Sequence, residues 1–387
     1  HGDRTKASYP VNTGYCWPND KAVWDCTLTS ISHPAVKHDQ HYLAIDRVYR
    51  KVFLDGREPM QGDCPLGVLT FKGYVQQETN GKILNQAYVK TGFLKQNFSY
   101  AEMFIRSDAQ SLIRGMYPPV SVESDRSHVV DINTMDRTFD DIEPNSILCP
   151  MLAQYQKEFY KSPMFLNHFY NVTLPLLHEL QKALQSNRTL GLDDMDSITD
   201  CVHTHQCHQF KVPDTITADL FDRMVADIGD RNMMQFTYPS REKFSKAGIG
   251  FLVNEMWQAM QRAMKGTGHK FLLYSGHDYT ISPMLVAFNI SDGQWPPYAS
   301  MLRFELLQRT SAWSHSMSDL FAVRVVYNEK ELKPPFCDAS PCSMAQFEKY
   351  INTIIPQDPN TECKVTDPSV LEGPLGRMRR WTQSGRF

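Results

Sequence analysis

No run of eighteen apolar residues occurs in this chain of 387 residues, so no stretch reads as a membrane-spanning helix. Positive charge is not in excess: 40 Lys and Arg stand against 43 Asp and Glu, a net charge of −3. Neither a nucleic-acid surface nor an anionic membrane is advertised by that balance. Internal repeats and low-complexity tracts are absent, which excludes solenoid and linker-rich architectures. A signal peptide is absent too.

What is present is a globular composition, 42% apolar and 21% charged, enough for one large domain or two packed lobes. Nine cysteines stand at 16, 26, 64, 149, 201, 207, 337, 342 and 363. Glycosylation sequons begin at Asn97, Asn171, Asn187 and Asn289. Four sequons with many cysteines favour a secretory or lumenal protein.

Three short stretches carry chemistry. His1-Gly2-Asp3-Arg4 opens the chain. Met103-Phe104-Ile105-Arg106-Ser107 is an apolar run ending in Arg, and Phe271–Tyr274 is a second apolar run, leading to Ser275-Gly276-His277-Asp278. Imidazole can attack phosphorus and carry the phosphoryl group as an N–P bond. Two guanidiniums match the charge on the non-bridging oxygens. A protonated carboxyl can donate to the departing oxygen.

The trio resembles the histidine acid phosphatases, branch 2 of the histidine phosphatase superfamily, which carry Arg-His-Gly-x-Arg, Arg-Ser and His-Asp in this order. The resemblance implies that His1 is the nucleophile, that Arg4, Arg106 and His277 hold the phosphoryl oxygens, and that Asp278 protonates the leaving alcohol. It implies no metal and no cofactor, since the arginines supply the positive charge. An Asp near its reference pKa of about 3.9 is ionised at neutral pH, so acid conditions or a raised pKa are expected for activity. A highly phosphorylated substrate such as an inositol polyphosphate favours a more basic pocket and is disfavoured by the net charge.

The resemblance also sets the expected architecture. It is a three-layer α/β/α core with a mixed, mostly parallel central sheet, made of residues 1–109 and 265–387, and a helical cap over 110–264. Two departures from the family pattern are visible. The family has an Arg immediately before the His; the chain opens inside that motif, so its natural beginning, with any signal or membrane anchor, is expected upstream. Without that Arg, phosphate binding should weaken and turnover slow. After Ser107 the family's Thr-Asp-x-x-Arg-Thr is missing, and Asp108-Ala109-Gln110-Ser111-Leu112 follows at once.

Local patterns agree with that plan. Residues 9–40 read as loop, with His33, His38 and His41 at irregular spacing that argues against a metal site. Thr70 is a fair N-cap for a helix running toward residue 90, within a Leu-Thr-x-x-Gly-x-x-Gln element that the family shares and whose role is architectural. Residues 102–106 and 270–275 read as strands. Between 150 and 264 the period is helical: Leu174, Leu176, Leu177, Leu180 and Leu184 share a face, as do Phe251, Leu252, Met256, Met260 and Met264. Residues 301–308 and 320–327 read as neighbouring strands with Arg303, Glu305 and Arg324 in alternation. The basic Arg377-Met378-Arg379-Arg380 stretch reads as a solvated end.

Cys201-Val202-His203-Thr204-His205-Gln206-Cys207-His208 packs five metal-capable residues into eight, but too tightly for finger spacings; a local Cys201–Cys207 bridge is the preferred reading. Cys337 and Cys342 suit a tight loop bridge. The resemblance suggests Cys149 with Cys363, and Cys26 with Cys64 is a further expectation. Cys16 is left over, free or pairing with another chain.

Within the family, residues 269–363 look most like the 2-phosphoxylose phosphatases of the Golgi, through Tyr274–Leu285, Leu302-Arg303-Phe304-Glu305-Leu306 and Val323-Arg324-Val325-Val326-Tyr327-Asn328. The implied substrate is a phosphorylated glycan of the glycosaminoglycan–protein linkage, in the Golgi lumen. A broad lysosomal or secreted acid phosphatase, an inactive phosphate- or glycan-binding relative, and a cytosolic mutase-like enzyme of the first branch are the alternatives. No nucleic-acid partner is implied; a homodimer is, since family acid phosphatases often pair.

Overall fold

A computed structural model describes residues 2–11, 13–26, 31–32, 36–38, 41–43, 49–50, 61–62, 64–107, 109–118, 130–309 and 320–371. His1, His33, Asp108 and the 377–380 stretch lie outside the described residues, as do the side chains of His38 and His41. The chain forms two compact units, His1–Ile132 with Phe169–Ile228, and Asn133–His168 with Gly229–Phe387.

In the first unit, part of the stretch expected as loop is strand. Ile31–Ser32 pairs with Tyr49–Arg50, and Val36–His38 with His41–Leu43, both antiparallel. Val36, Tyr42 and Leu43 supply the β-favouring residues that the surrounding polar composition obscured. The Phe71–Leu84 helix begins at Thr70, whose side chain accepts the Gly73 N–H as an N-cap. Its partner is the short Gln110–Met116 helix. The two cross at Gly81 and Gly115: a Cβ on Gly81 would overlap the Leu112 carbonyl, and one on Gly115 the Glu78 carbonyl. Only glycine permits backbones to approach this closely. The Gln110–Met116 helix starts at Ala109, which offers no side-chain cap.

A second core in this unit packs Leu176, Leu177 and Leu180 of the Leu174–Ala183 helix against Met195, Ile198 and Val202 of the Leu192–Cys207 helix. Cys16 lies in the same core and is bonded to Cys201. The expected Cys201–Cys207 bridge is therefore incorrect, and Cys207 is a free thiol. Six residues along one helix separate two side chains by about 9 Å of rise and about 240° of rotation, beyond disulfide reach. Cys26–Cys64, Cys149–Cys363 and Cys337–Cys342 form as expected.

The second unit contains a sheet in the order Cys342–Ser343, Phe321–Tyr327, Leu302–Gln308, with Lys330–Leu332 also pairing Phe321–Tyr327. Each of these pairs is antiparallel. The alternation of charged residues seen in the sequence becomes a cross-strand pair: Glu305 lies opposite Arg324, whose Nε donates to Glu305 Oε2 at 2.6 Å. The other face packs Val323 and Val325 with Leu252, Val253 and Trp257 of the Gly250–Met264 helix and with Phe347 and Ile351 of the Met344–Ile354 helix. Met256, Met260 and Met264 border this core, so the methionine stripe is packing surface. No described helix is long and apolar enough to cross a membrane.

Candidate active site

The segment after His1 is fixed by Asp3. Its side chain is 0% exposed. Oδ1 accepts from Thr70 Oγ1 and lies against His208 Nε2, each at 2.5 Å. Its backbone N–H donates to Gln76 Oε1 at 2.7 Å, and its carbonyl accepts from the Thr70 N–H. Gly73 completes the contact: a Cβ there would overlap the Asp3 carbonyl, and one on Gly2 would overlap the Gly73 carbonyl. Thus Thr70, Gly73 and Gln76, three residues apart along the start of one helix, each take a different part of the first motif. The Leu-Thr-x-x-Gly-x-x-Gln element is architectural in that specific sense.

Burial alone would raise the Asp3 pKa, but the bonds from His208 and Thr70, with the charges of His208 and Lys72, outweigh it and hold the carboxyl below its usual range. A depressed carboxyl contributes stability that is present above the unfolded pKa of about 3.9 and is lost as pH falls through the folded value. Asp3→Asn should therefore cost about 2–4 kcal/mol at pH 7, the scale for losing charge-assisted bonds at a buried site. Denaturant unfolding from pH 7 to 3 should show the deficit shrinking below about pH 4. A deficit independent of pH would contradict the ionised pairing.

Arg4 follows. Its Nη1 donates to Asp200 Oδ2 at 3.1 Å and to the Thr5 carbonyl at 2.9 Å. Asp200 Oδ2 also accepts the Ala7 N–H at 2.7 Å. The guanidinium is 22% exposed, so one edge is held by protein while the group remains reachable. Arg106 ends the Met103–Arg106 strand and is 2% exposed. Ser107 then takes a left-handed conformation, φ 66°, which turns the chain sharply off the strand.

In the second unit, Phe271–Tyr274 is a strand and Asp278–Ala287 a helix. His277 is the N-cap residue, exposed, with its backbone N–H donating to Thr280 Oγ1 at 2.9 Å. Asp278 is the first helical residue. Its Oδ1 accepts the Tyr279 N–H and its Oδ2 accepts Trp295 Nε1–H at 3.0 Å. Tyr279 in turn donates to Asn232 and meets Trp295 edge to face at 5.3 Å. This shell holds the Asp278 carboxyl in one orientation. Glu143 stands nearby; crowding around its carboxyl raises its pKa, and the negative charges of Asp278 and Asp140 add to the rise.

Sequence reasoning missed Asp3, His208, Asp200, Trp295 and Glu143. The one signal for Asp3 was its place as the variable position inside the His1-Gly2-Asp3-Arg4 motif. Nothing in Gly293-Gln294-Trp295 marks an indole that binds a carboxylate seventeen residues away. The tight Cys/His cluster separates in space: His205 is 0% exposed, with Nδ1 on the Cys201 carbonyl and Nε2 on Asp20 Oδ1. Cys16, Asp20 and His205 bring ligand atoms within 4.8 Å of one another. Cys16 is committed to a disulfide and both His205 nitrogens are engaged, so this trio is not a metal site. The four sequon asparagines, Asn97, Asn171, Asn187 and Asn289, are all exposed.

Residues 1–328 match the histidine phosphatase superfamily (branch 2). Counting factor 60 of Dictyostelium discoideum is 27% identical over 376 residues, 92% of this chain and 84% of that protein. Lysosomal acid phosphatase of Xenopus laevis is 26% identical over 78% of this chain and 72% of its own length, and human prostatic acid phosphatase 25% over 78% and 80%. Among solved structures, a phytase from Citrobacter braakii aligns with a TM-score of 0.59 at 13% identity, covering 95% of this chain and 97% of the phytase. A Hafnia alvei phytase bound to tartrate aligns at 0.60 and 11% identity, over 94% of this chain and 96% of the phytase. At such identities the likeness is one of fold, α/β with substantial helix.

Proposed function

This chain belongs to branch 2 of the histidine phosphatase superfamily and is a phosphomonoester hydrolase of the acid phosphatase kind; from that premise we propose that it works through a phosphohistidine on His1. In this reading His1 attacks phosphorus in line and the P–O bond to the alcohol breaks. Arg4, Arg106 and His277 neutralise the phosphoryl oxygens. Asp278 gives its proton to the departing alkoxide and then takes one from the water that hydrolyses the N–P bond, which restores both groups. The observation that supports it best is the clamp on the first motif: Asp3, sealed from solvent, ties the backbone beside His1 to Thr70, Gly73 and Gln76. Such fixation is what an in-line nucleophile requires. No metal enters these steps.

The substrate in this reading is a phosphorylated glycan, 2-phosphoxylose in the glycosaminoglycan–protein linkage, met in the Golgi lumen. Four disulfides and four exposed sequon asparagines support a secretory route and N-glycosylation. The family's three-layer core of residues 1–109 and 265–387, mostly parallel sheet, helical cap of 110–264 and homodimer belong to the same proposal. Hydrolysis of a phosphoxylose glycopeptide and of a simple aryl phosphate, compared across pH 4–8, tests it. A kcat/KM preference of at least ~100-fold for the glycopeptide, about 2.7 kcal/mol, is expected if the entrance recognises the glycan. Equal rates would make it a broad acid phosphatase. Phosphate binding without turnover would make it an inactive relative, a reading that the uncapped Gln110–Met116 helix favours.

A further inference from the structure

Residues 3–11 are held as a loop, with one isolated bridge between Arg4 and Leu69. One side of the Leu192–Cys207 helix supplies much of what fixes this segment, at steps of three and four residues. Asp194 Oδ1 accepts the Val11 N–H at 2.9 Å, Ser197 Oγ meets Ser8 Oγ at 2.9 Å, and Cys201 is bonded to Cys16. Asp200, three residues after Ser197, makes a different kind of contact. Its carboxylate reaches a member of the phosphate-binding set: Arg4 Nη1 lies 3.1 Å from Oδ1 and 3.1 Å from Oδ2. Oδ2 also accepts the Ala7 N–H at 2.7 Å, so one carboxylate closes a ring from the Arg4 side chain through the backbone to Ala7. The Thr5 carbonyl accepts from the same Nη1 at 2.9 Å. A guanidinium is planar and rigid, so holding its Nη1 corner among three oxygens fixes the plane of the whole fork.

From this geometry we propose that Asp200 is the positioning residue for Arg4, setting the plane in which the guanidinium meets the phosphoryl oxygens and acting through Arg4, not on substrate. The inference rests on the phosphate-binding role proposed for Arg4. Net charge alone gives the opposite expectation: a carboxylate beside a phosphate-binding cation repels the incoming anion, and a site built for attraction only would bind better without it. Both side chains are partly exposed, so solvent screens that repulsion, while the charge-assisted bonds still fix the orientation. An unheld arginine has rotamers to lose when it meets phosphate. Asp200 removes that loss beforehand, and such preorganisation serves the transition state as well as the bound substrate.

The test measures inorganic phosphate affinity by calorimetry and kcat/KM for an aryl phosphate, both on the full chain. Asp200→Asn keeps the shape and an oxygen for the Ala7 N–H, but loses the charge-assisted hold on Arg4. The phosphate Kd should rise by at least ~10-fold, and kcat/KM should fall by at least as much, with kcat sharing in the loss. A double-mutant cycle with Arg4→Ala separates positioning from a merely structural role: in that background Asp200→Asn should change phosphate affinity by less than ~2-fold. Unchanged or tighter phosphate binding in Asp200→Asn would overturn the inference. So would a full ~10-fold loss that persists without Arg4. A wild-type chain that binds no phosphate would overturn the phosphate-binding reading of Arg4 along with it, so the two failures are told apart.

Discussion

Replacing His1 by Ala should abolish phosphomonoester hydrolysis, with kcat falling by at least ~10⁴-fold, the scale on which removal of a covalent nucleophile acts. Arginines and a general acid cannot substitute for it, because their task is to stabilise charge on a phosphoryl group already being transferred. Binding should survive. Inorganic phosphate or vanadate should still bind to the variant, since Arg4, Arg106 and His277 are untouched. Unfolding should be unaffected, because the anchoring runs through Asp3. The combination, loss of turnover with retention of oxyanion binding and of Tm, is the expected signature. Hydrolysis at the wild-type rate would remove His1 from the mechanism.

Asp278→Asn should have the second-largest effect, and its size should depend on the substrate. For an alkyl phosphate, whose alkoxide is a poor leaving group, kcat should fall ~10²–10⁴-fold, the usual contribution of a general acid. For an activated aryl phosphate, whose phenolate departs without a proton, the loss should be at least ~10-fold smaller. The substitution is nearly isosteric, and an Asn oxygen can still accept the Trp295 Nε1–H that orients Asp278. The fold and KM should therefore change little. Equal losses on both substrates would mean that Asp278 acts in phosphate binding or water activation instead of leaving-group protonation.

Much of this was legible in the residues, for reasons that differ by element. The leucine period over 174–184 and the Arg303, Glu305 and Arg324 alternation are strong periodic signals, and both gave the expected elements. Arg106 was legible because an apolar run ending in Arg has few uses other than a strand edge. The hairpins between residues 31 and 50 were hidden by polar composition, which outweighs β propensity in short strands. The Cys16–Cys201 bridge spans 185 residues and cannot be told from local alternatives by spacing; helical geometry excludes the nearer partner only once both cysteines are known to share a helix. Asp3 was hidden differently. It stood in plain view as the variable position of the motif, yet its role depends on Thr70, Gln76 and His208, residues up to 205 positions away.

The central claim is a phosphoryl group carried on one imidazole. The most direct measurement mixes the protein with a substrate labelled at phosphorus, quenches within the first turnover under alkaline conditions that preserve N–P bonds, and locates the label by peptide mass spectrometry. The account requires a single phosphoryl group, stable to alkali and lost in acid, on the peptide containing His1. A label on any other residue, or steady turnover with no trapped protein-bound phosphate at all, would contradict it.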